Sequence, residues 1–210
     1  SLMKTNNNCH LIGLLSSSEL EASISHLKSL IFSIEKLGNK KIYLHCIIDG
    51  KETNKNSGQK LVEEFSHFLA DHPACQLVSL IGRLYGLDDK ANLSRTSKAF
   101  KLFARGEGNV FSSAKEAFDQ FYEKKIFDEE FPPVVIRQTP EEAVTISEQA
   151  VVVFWNYAGQ GIKQLANYFL SNLAKTKLVS LVDYNLGDRA LVLFPNPELS
   201  DSLGKVFSVN

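Results

Sequence analysis

Residues 10–48 read HLIGLL (His10–Leu15), SSS (Ser16–Ser18), ELEASISHLKSLIFSIEKL (Glu19–Leu37), GNK (Gly38–Lys40) and KIYLHCII (Lys41–Ile48). The first and last blocks are short and apolar, as buried strands are. The long middle block sets Leu20, Ile24, Leu27, Leu30, Ile31 and Ile34 at helical spacing. Ser18 and Glu21 read as a capping box that opens this helix at about Glu19, and Gly38 reads as its C-terminal stop. Strand, helix and strand in this order form a β-α-β unit.

The pattern continues outward. Asp49-Gly50 marks a turn, a helix follows from about Ser57 to Ala70, and Gln76–Ile81 is a third strand ended by Gly82. Helices are expected over Asn92–Ala104 and Ser113–Lys124, separated by Gly106-Glu107-Gly108, and Pro132-Pro133 forbids helix there. Val151–Trp155 is apolar throughout, the pattern of a parallel strand covered on both faces. A helix over Gln160–Leu173 then leads to strands at Leu178–Val182 and Ala190–Phe194, with a short terminal helix over Leu199–Phe207. The expected fold is α/β: repeated β-α-β units forming a mostly parallel sheet with helices on both faces, one domain over residues 10–210. Residues 1–9 read as a cloning remnant (Ser1, Leu2) and a polar lead-in, with Met3 as a translation start.

Twenty-three basic against 24 acidic residues give a net charge of -1, so no whole-chain field draws nucleic acid or a membrane surface. Cys9, Cys46 and Cys75 are widely spaced; the latter two lie in strand-like runs and read as buried free thiols in a reducing, cytoplasmic setting. Nothing approaches the roughly 18 apolar residues of a membrane span. No cysteine–histidine spacing suits a metal, and His45, inside a strand, reads as a hydrogen-bonded core residue.

In such sheets ligands sit beyond the carboxyl ends of the strands. That rule selects the loops Ser16–Glu21, Asp49–Glu52, Gly82–Asp89 and Asn156–Gly161. The blocks that carry them, HLIGLLS (10–16), YLHCIIDG (43–50), IGRLY (81–85) and VFWN (153–156), resemble successive blocks of the cofactor-independent phosphoglycerate mutases. ARGEG (104–108), IFDEEF (126–131) and LVDY (181–184) match in the same order.

The resemblance implies an inserted substrate-gripping domain. Its companion, a phosphatase-like domain with two manganese ions and a phosphorylated serine, has no counterpart in this chain, so no cofactor is expected here. It also implies a histidine that contacts the phosphoryl group, where Glu21 stands. Glu21 reads instead as the cap of its own helix. The family's Asp-Gly-Arg-Asp loop is Asp49-Gly50-Lys51-Glu52 here: Lys51 keeps the charge without the planar fork, Glu52 keeps the acid on a longer arm, and the pair reads equally as a solvated turn. Arg83 keeps the first arginine of the third loop, whose second falls at Asp89. Arg83 is therefore a candidate anion contact, or an arginine paired with Asp88 or Asp89. Both arginines of the fourth loop are gone from Asn156-Tyr157-Ala158-Gly159-Gln160-Gly161, leaving Asn156 either to bind or to close a strand end.

Expected substrate contacts are thus Arg83, Lys51, Asp49 and Asn156, with Glu21 and Glu52 at degenerate catalytic positions and no metal site. The expected function is a substrate-binding domain related to these isomerases, inactive alone. The alternatives are an active mutase whose phosphatase-like half lies elsewhere, or a module that binds a small anionic metabolite or a protein.

Overall fold

The computed structural model describes residues 8–38, 41–139, 143–147, 149–158 and 160–195. Eight strands form one sheet: β1 (Cys9–Leu15), β2 (Ile42–Ile48), β3 (Cys75–Gly82), β4 (Asn109–Phe111), β5 (Val134–Ile136), β6 (Val151–Phe154), β7 (Lys177–Val182) and β8 (Leu191–Phe194). Their order is β4-β5-β3-β2-β1-β6-β7-β8. All neighbours pair in parallel except β3 and β5. The helices are α1 (Ile24–Lys36), α2 (Gly58–Ala70), the one-turn α3 (Arg83–Gly86), α4 (Leu93–Arg105), α5 (Ala114–Glu123) and α6 (Gln160–Asn172).

The central strands hold the core. Leu11, Ile12, Leu44 and Ile47 are fully buried, on alternate faces of β1 and β2, as helices above and below the sheet require. Each such side chain stabilises the fold by about 1.5–3 kcal/mol. His10, also buried, lies 3.0 Å from His45, whose Nδ1 lies 2.7 Å from Ser79 Oγ. His45 is thus the hydrogen-bonded core residue expected. All three cysteines are buried and free.

The elements depart from expectation in four places. α1 begins at Ile24, not near Glu19, and Ser23 rather than Ser18 is its N-cap. Residues 19–23 are held off the helix by tertiary contacts: Glu19 has φ +52°, and the N–H groups of Tyr157 and Ala158 donate to the Glu21 carbonyl at 2.9 and 3.2 Å. Second, the lead-in stops before Cys9, which opens β1 and is fully buried. Third, β4 and β5 were not foreseen, because three-residue strands offer too little alternation to read. Fourth, the turn α3 directly follows β3, where a loop was expected. Gly38 does follow α1 with φ +80°, its N–H donating to Glu35 at 2.9 Å, as the stop signal implied. The terminal helix expected over Leu199–Phe207 lies outside the described residues.

Candidate functional site

β1, β2, β3 and β6 run in parallel and end at one edge, so their following loops converge there. Asp49 closes β2 and is buried. Its Oδ2 accepts from Ser16 Oγ at 2.5 Å, and its Oδ1 accepts from the N–H groups of Lys51 and Glu52 at 3.2 and 3.1 Å. Those bonds wind residues 49–52 into a tight turn. Gly50 in that turn has φ +71°, and a Cβ there would meet the Glu129 nitrogen at 2.5 Å. Glycine is needed both for the left-handed backbone and for the close approach.

Arg83 begins α3 and is 7% exposed. Its Nη1 donates to Asp49 Oδ1 at 2.7 Å and its Nη2 to Glu21 Oε1 at 2.5 Å. The guanidinium is therefore spanned by two carboxylates from two other loops. Burial opposes its charge, but the bonds to Asp49 and Glu21 outweigh this and raise its affinity for the proton. Burial likewise pushes the Asp49 carboxyl up, yet the bonds from Ser16 and Arg83 hold it below the usual carboxylate range. The three groups form a compensated ionic cluster.

This arrangement corrects two expectations. Glu21 does not cap a helix; it reaches across the strand ends to Arg83. Arg83 does not pair with Asp88 or Asp89. Asp88 instead accepts from Arg95 Nη1 at 3.1 Å and from the Asn92 N–H at 2.7 Å. Burial raises the Asp88 carboxyl, but those bonds and one from Gln164 bring it below its ordinary value. Lys51 and Glu52 are exposed. A cavity of ≈ 210 Å³ opens beside the cluster, walled by Lys51, Arg83, Asp88, Lys90, Arg95 and Glu129. Its wall mixes both signs of charge, and its two arginines already have carboxylate partners.

Asn156 is fully buried at the end of β6. Its Oδ1 accepts from the Leu14 N–H at 2.9 Å, and its carbonyl accepts from Tyr184 Oη at 2.5 Å. Nδ2 has no hydrogen-bond partner among the described residues. Trp155 donates its indole N–H to the Leu14 carbonyl at 3.0 Å, so this end of β6 is fastened to β1. Asn156 thereby closes the strand end.

Sequence reasoning missed the 3-10 turn Asp128–Glu130, which packs against Gly50 and Gly82 under the site. Asp128 is buried, accepting from the Gly58 N–H at 2.8 Å and from the Tyr122 hydroxyl. Burial raises its carboxyl above the ordinary value despite those bonds. The block Ile126–Phe131 signalled its presence, but spacing along the chain gave no sign that it reaches β2 and β3. Among the described residues no three His, Cys, Asp or Glu side chains converge to hold a metal ion.

The family model of the BPG-independent PGAM N-terminus matches residues 1–186. The chain belongs to this family. Among its relatives, the 2,3-bisphosphoglycerate-independent phosphoglycerate mutase of Coxiella burnetii is 32% identical over 214 aligned positions, covering 97% of this chain and 41% of that protein. That of Moorella thermoacetica is 27% identical over 209, covering 95% and 41%. The crystal structure of Leishmania mexicana phosphoglycerate mutase at low cobalt concentration superposes with a TM-score of 0.85 at 25% identity, over 92% of this chain and 39% of that one. The chain thus spans about two fifths of the length of the phosphoglycerate mutases it matches. It is related to their N-terminal domain.

Proposed function

We propose that this chain is a non-catalytic relative of the phosphoglycerate mutase N-terminal domain, in which the surviving arginine of the substrate cleft is held by the protein's own carboxylates. The observation that carries this reading is the Glu21–Arg83–Asp49 cluster: both terminal nitrogens of Arg83 are occupied, at 2.5 and 2.7 Å. A phosphorylated sugar acid entering here meets the Glu21 and Asp49 carboxylates that already hold the guanidinium. Neighbouring carboxylates oppose a dianion, and the fourth loop supplies no arginine to compensate. Phosphoryl transfer rests almost wholly on positioning and charge neutralisation, and the cleft offers little of either. Lys51 and Lys90 are the cations left to meet a smaller or singly charged metabolite. The three buried thiols support a reducing cytoplasmic setting, with burial pushing Cys9 and Cys75 up to about 12.

A second reading has one observation in its favour. Because the chain spans 41% of the Coxiella burnetii mutase, a phosphatase-like half outside this sequence, on the same polypeptide or another, would complete an enzyme. Isothermal calorimetry with 3-phosphoglycerate separates the two. The proposal expects no binding heat at ligand concentrations of order millimolar. Saturable micromolar binding overturns it and favours the second reading.

A further inference from the structure

Glu21 reaches Arg83 from a segment whose backbone is fastened without it. Residues 19–23 form a strap between β1 and α1. Glu19 has φ +52°, a left-handed conformation that a residue with a side chain keeps only where its surroundings enforce it. Here the loop after β6 enforces it. The N–H groups of Tyr157 and Ala158 donate to the Glu21 carbonyl at 2.9 and 3.2 Å, and the Tyr157 hydroxyl donates to the Glu19 carbonyl. Within the strap, Ser23 Oγ donates to Glu19 Oε1 at 3.1 Å, and Ala22, next to Glu21, is buried. None of these contacts uses the Glu21 side chain.

The other half of the contact is also set in advance. Asp49 is held by Ser16 and in turn holds Arg83 Nη1 at 2.7 Å, which leaves Nη2 turned toward the strap. The Glu21 side chain is 22% exposed, against 8% for Arg83 and 2% for Asp49. Glu21 is therefore the outermost member of the cluster, a carboxylate at the solvent boundary on a fixed guanidinium donor. That is the geometry of a carboxylate-binding subsite, filled by the chain itself. Truncating Glu21 leaves Arg83 and Asp49 as a neutral pair with one donor unpaired and mostly out of water. Such a donor favours one negative charge, and Asp49 beside it opposes a second.

We propose that Glu21 is an internal ligand: its carboxylate occupies a subsite on Arg83 that, once vacated, takes a small monocarboxylate from solution. The inference rests on the reading given under Proposed function, in which the chain's own carboxylates hold Arg83.

Chemical rescue of Glu21→Ala is the test, by urea unfolding at neutral pH in sodium acetate and in sodium chloride of equal ionic strength. One charge-assisted contact corresponds to a dissociation constant of order 10 mM. At about ten times that concentration, acetate is expected to raise the folded-to-unfolded ratio of Glu21→Ala about tenfold over chloride. The unmodified chain, and Glu21→Gln, whose amide oxygen still accepts from Arg83, are expected to unfold alike in the two salts. Sulfate, a dianion, is expected to give Glu21→Ala no gain beyond that of the unmodified chain. Glu21→Ser decides the matter if Glu21→Ala does not fold. Failure of both to fold in every salt would overturn the proposal, which requires a strap that holds without the Glu21 side chain. Equal unfolding of the truncated variant in acetate and chloride, an acetate gain shared by Glu21→Gln, or an equal gain in sulfate would also overturn it, and would leave the closed cleft standing. An acetate gain in the unmodified chain would instead show Arg83 open to ligands and remove both readings.

Discussion

Arg83 is a cation held almost out of water, and that is sustainable only because two carboxylates reach it. Removing the cation of such a cluster leaves a buried carboxylate without its charge partner, which costs more than the cluster contributes over an apolar replacement. Arg83→Ala strands Asp49, 2% exposed, and is expected to lower stability by about 3–5 kcal/mol. Glu21→Ala removes a carboxylate that still touches solvent and leaves the Asp49 bond intact, so the loss is expected to be about 1–3 kcal/mol. Urea unfolding of both variants checks the order; equal losses would mean that Asp49 is not held by Arg83. Glu21 was also the residue least legible beforehand. Its spacing from Ser18 fits a capping box, and local spacing carries no information about an arginine 62 positions away. Asn156 was legible only as two alternatives; its Oδ1 accepts from Leu14 and so fastens the strand end, while its Nδ2 has no partner among the described residues.

At the scale of elements, β1, β2 and β3 are coupled by the buried chain His10, His45 and Ser79. Burial lowers His10 to about 4, and burial, then the nearness of His10, lowers His45 well below its ordinary value. The unfolded chain takes up these protons near about pH 6.5, before the folded one does. Stability contributed by the neutral pair is therefore complete above about 6.5 and is lost as pH falls toward about 4. Between about pH 7.5 and 5, His10 is expected to account for a loss of about 2 kcal/mol in urea unfolding, with His45 adding to it in the same direction. His10→Asn together with His45→Asn should flatten that slope; an unchanged slope would place the effect elsewhere. Asp49 and Asp88, held below their usual values, add their own loss only at still lower pH. The long elements were legible because ten or more residues of helix, or a run such as Val151–Phe154, repeat their pattern enough to be read. The ends were not. The start of α1 is set by Tyr157 and Ala158 from a distant loop, and β4 and β5 are too short to show a period.

For the whole molecule, scaffold and chemistry have separate determinants. A TM-score of 0.85 at 25% identity means that the parallel sheet tolerates wide substitution, since it depends on burial and backbone geometry more than on particular side chains. Anion recognition does depend on particular side chains, and an opposing charge at one position alters it. The order of blocks along the chain therefore made the architecture readable. The state of the cleft required knowing what Arg83 touches. The most direct measurement is nitrogen-15 NMR of the Arg83 guanidinium during titration with 3-phosphoglycerate. If Glu21 and Asp49 hold that group, its terminal N–H signals are resolved by slowed rotation and stay unshifted through millimolar ligand. Averaged signals in the free protein, or a saturable shift as ligand is added, would contradict the account.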